Sequence, residues 1–134
     1  MAITYEWRGD ADDRTLNALH AEGFGHPPGD TPWTERLARH SLGWVCARED
    51  GRLVGFVNVV WDGGVHAFLL DTVVAGSAQG RGVGTALVAA AAEGARAAGC
   101  DWLHVDFEDE LGPFYFDACG FRRTDAGLLR LSGG

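Results

Sequence analysis

The stretch from Asp71 to Ala92, DTVVAGSAQGRGVGTALVAAAA, constrains this chain more than any other part. An apolar strand enters a glycine-rich turn, Gln79-Gly80-Arg81-Gly82-Val83-Gly84, and an alanine-rich helix follows directly. Three glycines at alternate positions leave no side chains between the turn and whatever sits in front of it. The helix start adds unpaired backbone N–H groups and the positive end of its dipole. Together these make a site for a phosphate or diphosphate held mainly by main chain.

The elements around this turn follow from pattern. Ile3 to Trp7 reads as a first strand. Asp10 or Asp12 caps a helix reaching about Glu22, with Leu16 and Leu19 on one face. Residues 23–29, GFGHPPG, form a loop by composition. Thr31-Pro32 starts a second helix, as N-cap and first helical residue, running to about His40. The apolar runs Trp44 to Arg48 and Arg52 to Trp61 are joined by Glu49-Asp50-Gly51, a hairpin signal. Asp62-Gly63-Gly64 marks a second turn before a strand from Val65 to Val74, completing an antiparallel meander. The helix after the glycine turn spans about Gly82 to Ala98. A parallel strand from Asp101 to Phe107 follows, then a short helix from Pro113 to Cys119. Final strands are expected at Phe121 to Thr124 and Leu128 to Leu131. The result is a single α+β domain over residues 1–134, with one mixed, mostly antiparallel sheet flanked by helices.

Composition narrows the partners. The chain has 134 residues, a net charge of −8 and 46% hydrophobic residues. The acidic balance argues against a nucleic-acid binder, whose affinity rests on Lys and Arg, and suits solubility or a cationic partner. No apolar run reaches the roughly 18 residues of a membrane span. The first residues, MAITYEWRGDADDR, lack the basic and apolar regions of a signal peptide. A cytoplasmic protein without membrane contact is expected. Cys46, Cys100 and Cys119 show no Cys-x-x-Cys spacing and read as small hydrophobes rather than ligands. The histidines also lack metal-ligand spacing, so no metal site is expected.

Three phosphate motifs compete for the glycine turn. A P-loop needs a lysine that this turn lacks. A dinucleotide fingerprint needs a third glycine that would fall at Thr85 or Leu87, within a βαβ array that is missing. The third motif is Gln/Arg-x-x-Gly-x-Gly/Ala, which Gln79 to Gly84 match. On that turn, on Leu70-Asp71-Thr72-Val73-Val74 before it, and on Phe114-Tyr115 with Cys119-Gly120-Phe121 after it, the chain resembles the GNAT superfamily of N-acetyltransferases. The order of elements matches along nearly the whole chain.

The resemblance implies acetyl-CoA, or another acyl-CoA, as co-substrate and an amine as acceptor, with paired chains a common state. Its diphosphate would lie on the main chain of Gly80, Arg81, Gly82, Val83, Gly84 and Thr85, with Gln79 opening the motif. Val73 and Val74 correspond to the segment that pairs with the pantetheine arm. Arg81 is either a partner for a CoA phosphate or a solvated surface arginine.

The implied reaction is direct transfer from thioester to amine, in a ternary complex. It calls for a base or water chain, a backbone N–H facing the oxyanion and an acid for the leaving sulfur. Asp71 is the candidate base, directly or through water. It stands mid-strand among Leu69, Leu70, Val73 and Val74, where an unpaired carboxylate is costly to bury. Pairing with an arginine or with backbone is the alternative reading. Tyr115 is the candidate acid. The family's tyrosine stands four residues before the glycine of Gly-Phe, and here that position is Phe116. One residue turns a helical side chain by about 100°, so Tyr115 serves only if the helix start is shifted or bulged. Where the family carries an asparagine that contacts CoA, this chain has Glu108-Asp109.

His66 shares strand parity with Leu70 and Val74, and His104 shares it with Asp106. If the strands splay, His66, His104 and Asp106 line an acceptor cavity; otherwise they are hydrogen-bonded within the fold. Trp33, after the Gly- and Pro-rich loop, is a candidate substrate contact or a core residue. A small-molecule N-acetyltransferase leads these readings. A protein lysine or N-terminal acetyltransferase and a non-catalytic acyl-CoA-binding module remain beside it.

Overall fold

The computed structural model describes residues 2–133. Five strands form one sheet in the order β1-β2-β3-β4-β5: Ile3–Trp7, Ser41–Glu49, Arg52–Trp61, His66–Val74 and Trp102–His104. The first four run antiparallel to their neighbours, and β5 is parallel to β4. Helices α1 (Asp13–Phe24), α2 (Trp33–His40) and α3 (Val83–Ala97) pack on this sheet. The expected mixed sheet flanked by helices is what forms.

Local chemistry explains the element ends. Asp12 caps α1 by accepting from the Thr15 N–H at 2.7 Å. The β2–β3 turn has Asp50 at φ 52° and Gly51 at φ 77°, the two left-handed positions of a type I′ hairpin. Helix α2 departs from expectation: Pro32 is its N-cap residue and Thr31 lies before it. The reason is tertiary. Asp13 of α1 accepts from both the backbone N–H and the hydroxyl of Thr34 at 2.7 Å. The side chain of Asn17 exchanges two hydrogen bonds with the Thr31 backbone. A cap supplied by α1 replaces the one that Thr31 would have made.

The core lies on both sheet faces. Val83 and Leu87 of α3 close on Gly55, where an added Cβ would stand 3.0 Å from Leu87 Cδ1. Leu16, Leu19, Trp33, Leu37 and Phe56 are buried in the same hydrophobic core. Each such side chain contributes roughly 1.5–3 kcal/mol of burial. Cys46 is fully buried, whereas Cys100 and Cys119 are only partly so. The three thiols are free.

Two expectations fail toward the C-terminus. β5 spans three residues instead of seven. No strand forms at 121–124 or 128–131 among the described residues, and Leu128, Leu129 and Leu131 are 84–91% exposed. The alternation of apolar residues there resembles a strand. Beyond His104, however, β5 has already left β4, so no ladder is available to extend.

Candidate active site

β4 carries the feature that organises the site. Between Phe56↔Val73 and Asn58↔Leu70, β3 advances two residues and β4 three. The extra residue is a β-bulge at Asp71-Thr72. Asp71 takes φ 60°, a left-handed conformation that Asp tolerates better than most residues. Only His66, Ala67 and Phe68 of β4 pair with β5. The β4 edge beyond Phe68 therefore opens onto a cleft of about 440 Å³.

The glycine turn forms one end of that cleft. Gly80 and Gly82 have φ 76° and 78°, and a Cβ at either would point into open space. The first hydrogen bond of α3 runs from the Ala86 N–H to the Gly82 carbonyl, 3.1 Å. The N–H groups of Val83, Gly84 and Thr85 thus precede the helical ladder. Gln79 to Gly80 and Gly82 to Thr85 line the cleft together with Val73 and Val74. Gln79 turns its amide back to the Val74 carbonyl at 3.3 Å, tying the turn to the strand. Arg81 is engaged elsewhere. Its guanidinium holds both oxygens of Glu49 at 3.1 and 2.5 Å. That contact keeps the Glu49 carboxyl below its ordinary range and raises Arg81. Arg81 is thus an exposed residue whose charge is paired with Glu49.

Leu111, Phe114 and Tyr115 line the cleft as well. Residues Pro113–Ala118 form a π-helical turn rather than an α-helix. The Cys119 N–H reaches the Phe114 carbonyl at 2.9 Å, five residues back, and the Phe121 N–H reaches Tyr115 at 2.9 Å. This widened turn puts Tyr115, and not Phe116, among the residues that line the cleft. Tyr115 is buried against the cleft, stacked on Phe107 at 4.5 Å. Phe116 instead meets the edge of Phe107 and carries Arg123 on its other side. Burial raises the Tyr115 phenol above its ordinary value. The Thr72 side chain acts against that rise, and the charges of Cys119 and Asp106 add to it. Glu108 and Asp109 are exposed, just before Leu111.

Asp71 is neither deeply buried nor unpaired. Its side chain is 25% exposed and meets His20 Nε2 at 3.2 Å through Oδ1. Asn58 donates to Oδ2 at 3.5 Å and accepts from the Ser41 hydroxyl at 2.6 Å. Partners on two elements replace the burial expected of a mid-strand carboxylate, because the bulge turns this residue toward α1. His20, His26 and Asn58 were missed by sequence reasoning. Asn58 had a readable signal, a polar residue inside the apolar run Leu53 to Val60. The two histidines had none, since a helix and a loop bring them to β4.

The remaining candidates separate. His66 Nδ1 and His104 Nε2 meet at 2.9 Å, with Phe68 stacked on His104 at 4.5 Å. His66 opens β4, about 16 Å along the strand from Asp71, and His104 ends β5 opposite Phe68. The two histidines do not line a cavity with Asp71. Asp106 is exposed and stands close enough to Tyr115 to act on its phenol. Trp33 is buried at 3% exposure, with its Nε1 unpartnered, and packs beneath His20 and against Phe56. It supports the site from the core rather than facing a substrate. No group of three or more His, Cys, Asp or Glu suited to a metal occurs among the described residues.

A bulged strand, a glycine turn at a helix start and an aromatic turn across the cleft define a transferase-type fold. The chain belongs to the acetyltransferase (GNAT) family, whose model matches residues 5–121. It is 41% identical over 115 residues to a mycothiol acetyltransferase of Nocardia farcinica, covering 78% of this chain. The match spans 37% of that protein's length. A Trypanosoma brucei acetyltransferase shares the fold at TM-score 0.79 and 22% identity, over 98% of this chain and 99% of that one. So does AAC(6')-Iy in complex with the bisubstrate analogue CoA-S-monomethyl-acetylneamine, at TM-score 0.75 and 19% identity over the whole of both chains.

Proposed function

We propose that this chain is an N-acetyltransferase that moves an acetyl group from acetyl-CoA to the primary amine of a small molecule. The observation that carries this reading is the β4 bulge. It sends Asp71 to the α1 side of the strand and sets Thr72 beside Tyr115 in the cleft.

The cleft fits the co-substrate on its own features. Gly80 and Gly82 leave open space where side chains would block a diphosphate, and the N–H groups at the start of α3 are free to bind it. The open edge of β4 at Val73 and Val74 offers main chain to an extended amide arm. When bound, acetyl-CoA supplies the activated acetyl group. Asp71 takes the proton from the attacking amine, whose nitrogen then forms the new bond to carbon. A main-chain N–H of the bulged strand would supply the donor for the charge that develops on the carbonyl oxygen. Tyr115 gives its proton to the departing sulfur as the carbon–sulfur bond breaks. The ammonium loses two protons in all: the first leaves for solvent before attack, the second is shed as the amide forms and replaces the one that Tyr115 gives to sulfur, so one proton is released per turnover.

The choice of a small amine rests on two likenesses. The curated relative is named for mycothiol, and the AAC(6')-Iy complex holds an acetylneamine analogue. Thiol release from acetyl-CoA, measured with amino sugars, small amines and lysine peptides, tests the reading. Turnover with small amines is the expected result. Turnover confined to peptides would move the assignment to a protein acetyltransferase. Coenzyme A binding without release for any acceptor would leave a binding module.

A further inference from the structure

The amine's proton needs a route away from Asp71, and the structure contains a line of contacts that begins there. Asp71 Oδ1 meets His20 Nε2 at 3.2 Å. His20 Nδ1 meets His26 Nε2 at 2.8 Å. His26 Nδ1 meets the Pro27 carbonyl oxygen at 2.7 Å. His20 is held in its plane by Phe24 at 4.4 Å and Trp33 at 5.5 Å. His26 is exposed at the far end.

Counting protons gives this line its meaning. Both ends only accept: the Pro27 carbonyl has no proton, and an ionised Asp71 has none. Three hydrogen bonds therefore require three protons on the two rings between them. Two neutral imidazoles bring two. With Asp71 ionised and both rings neutral, one contact lacks its proton. The fixed carbonyl of Pro27 claims the Nδ1 proton of His26, which turns His26 Nε2 into an acceptor. His20 Nδ1 then donates to it, and the vacancy falls between His20 Nε2 and Asp71. Two lone pairs converge on the α1 side of the strand.

We propose that His20 and His26 form a relay that carries the acceptor's proton from Asp71 to solvent, a role that rests on the acetyl-transfer reading above. The ammonium N–H bond breaks, its electron pair stays on nitrogen, and its proton fills the vacancy. That proton passes to His20 Nε2, the His20 Nδ1 proton passes to His26 Nε2, and the Nδ1 proton of His26 leaves to water. One proton enters and one departs. Each ring then returns to its first tautomer by exchanging its own protons with water, His20 through its partly exposed side chain and His26 at the surface. The titratable groups facing His20 are Asp71 from β4 and His26 from the loop after α1. Arg36 of α2 stacks on Trp33 beneath and keeps a fixed charge. Asn58, the other partner of Asp71, is neutral.

Long-range proton–nitrogen NMR of the histidine-labelled protein, without acetyl-CoA, reads the relay directly. His20 and His26 should shift together as one proton enters, and Asp71→Asn should uncouple them. Independent titrations untouched by Asp71→Asn would overturn the proposal. In kinetics, His20→Gln should lower kcat at least about tenfold, leave KM for acetyl-CoA unchanged and remove one ionisation from the pH profile. The exposed His26→Ala, which does not endanger folding, should slow turnover less and recover with added imidazole. Unchanged profiles in both variants would equally overturn it. Absence of thiol release in the wild type would sink the acetyl-transfer reading instead, and with it the relay's role, while the NMR count still decides whether the three groups share a proton.

Discussion

The Tyr115 carbonyl accepts from the Phe121 N–H at 2.9 Å, closing the π-helical turn that sets Tyr115 in the same cleft as Thr72, the second residue of the β4 bulge. Two irregularities thus meet in one cleft. A regular strand or a regular helix would separate them. If Tyr115 is the acid, Tyr115→Phe should reduce kcat by about 10²-fold while KM for acetyl-CoA holds. The double change Tyr115→Phe with Phe116→Tyr should not restore turnover, because residue 116 faces Phe107 and Arg123 rather than the cleft. Steady-state kinetics of the single and double variants checks both statements.

Replacing Asp71 tests the base without disturbing the bulge. Asparagine also tolerates the left-handed backbone, so Asp71→Asn should fold with its register intact. Its kcat at neutral pH should drop by roughly 10²-fold. The rate should climb as pH approaches the acceptor's own ammonium ionisation, since a neutral amine no longer needs a base. Asp71→Ala should additionally lose about 1–2 kcal/mol of stability from the strained φ. A pH–rate profile identical to wild type in Asp71→Asn would remove the carboxylate from the mechanism.

The glycine turn makes a separate prediction, on binding. Gly82→Ala places a Cβ at φ 78°, costing about 1–2 kcal/mol of stability, on a residue that lines the cleft. Affinity for coenzyme A should weaken at least about tenfold by calorimetry, as expected from losing about 1.4 kcal/mol of contact. Gly63→Ala is the control. Its φ is 81° and its surroundings are equally open, but it sits in the turn before β4, away from the diphosphate cradle. It should cost similar stability and leave coenzyme A binding unchanged.

Much of this arrangement was legible before any coordinates. The hairpin at Asp50-Gly51, the glycine turn and the meander all rest on local chemistry, and local chemistry is what a sequence displays. The bulge at Asp71 was not legible, because it depends on the register between β3 and β4. Nor was the widened turn that brings Tyr115 to the cleft, although the offset between Tyr115 and Gly120 showed that something irregular was required. The partners of Asp71 lay hidden for the same reason. His20 is 51 residues away in the chain, and only packing brings it near. The apolar alternation in 121–131 misled because a strand signal says nothing about whether an edge is available to receive it.

Cys46 links the core to alkaline pH. Its thiol is pushed up to about 11 by burial, from an ordinary value of 9.0. The folded protein therefore holds this proton more tightly than the unfolded chain does. Stability from this group is complete below pH 9, where both states are protonated. It is lost as pH rises toward 11, because only the unfolded thiol ionises freely. Two units correspond to an upper figure of about 3 kcal/mol. Urea unfolding at pH 8 and pH 10.5 should show the loss in the wild type. Cys46→Ala, which removes the titrating group at the expense of a small cavity, should start less stable and lose less between the two pH values. Tyr115 works in the same direction, since burial raises its phenol as well. Its share appears above pH 10, so Cys46→Ala should flatten the first part of the alkaline decline and leave the second. An equal decline in both proteins between pH 9 and 10 would rule out the thiol as its source.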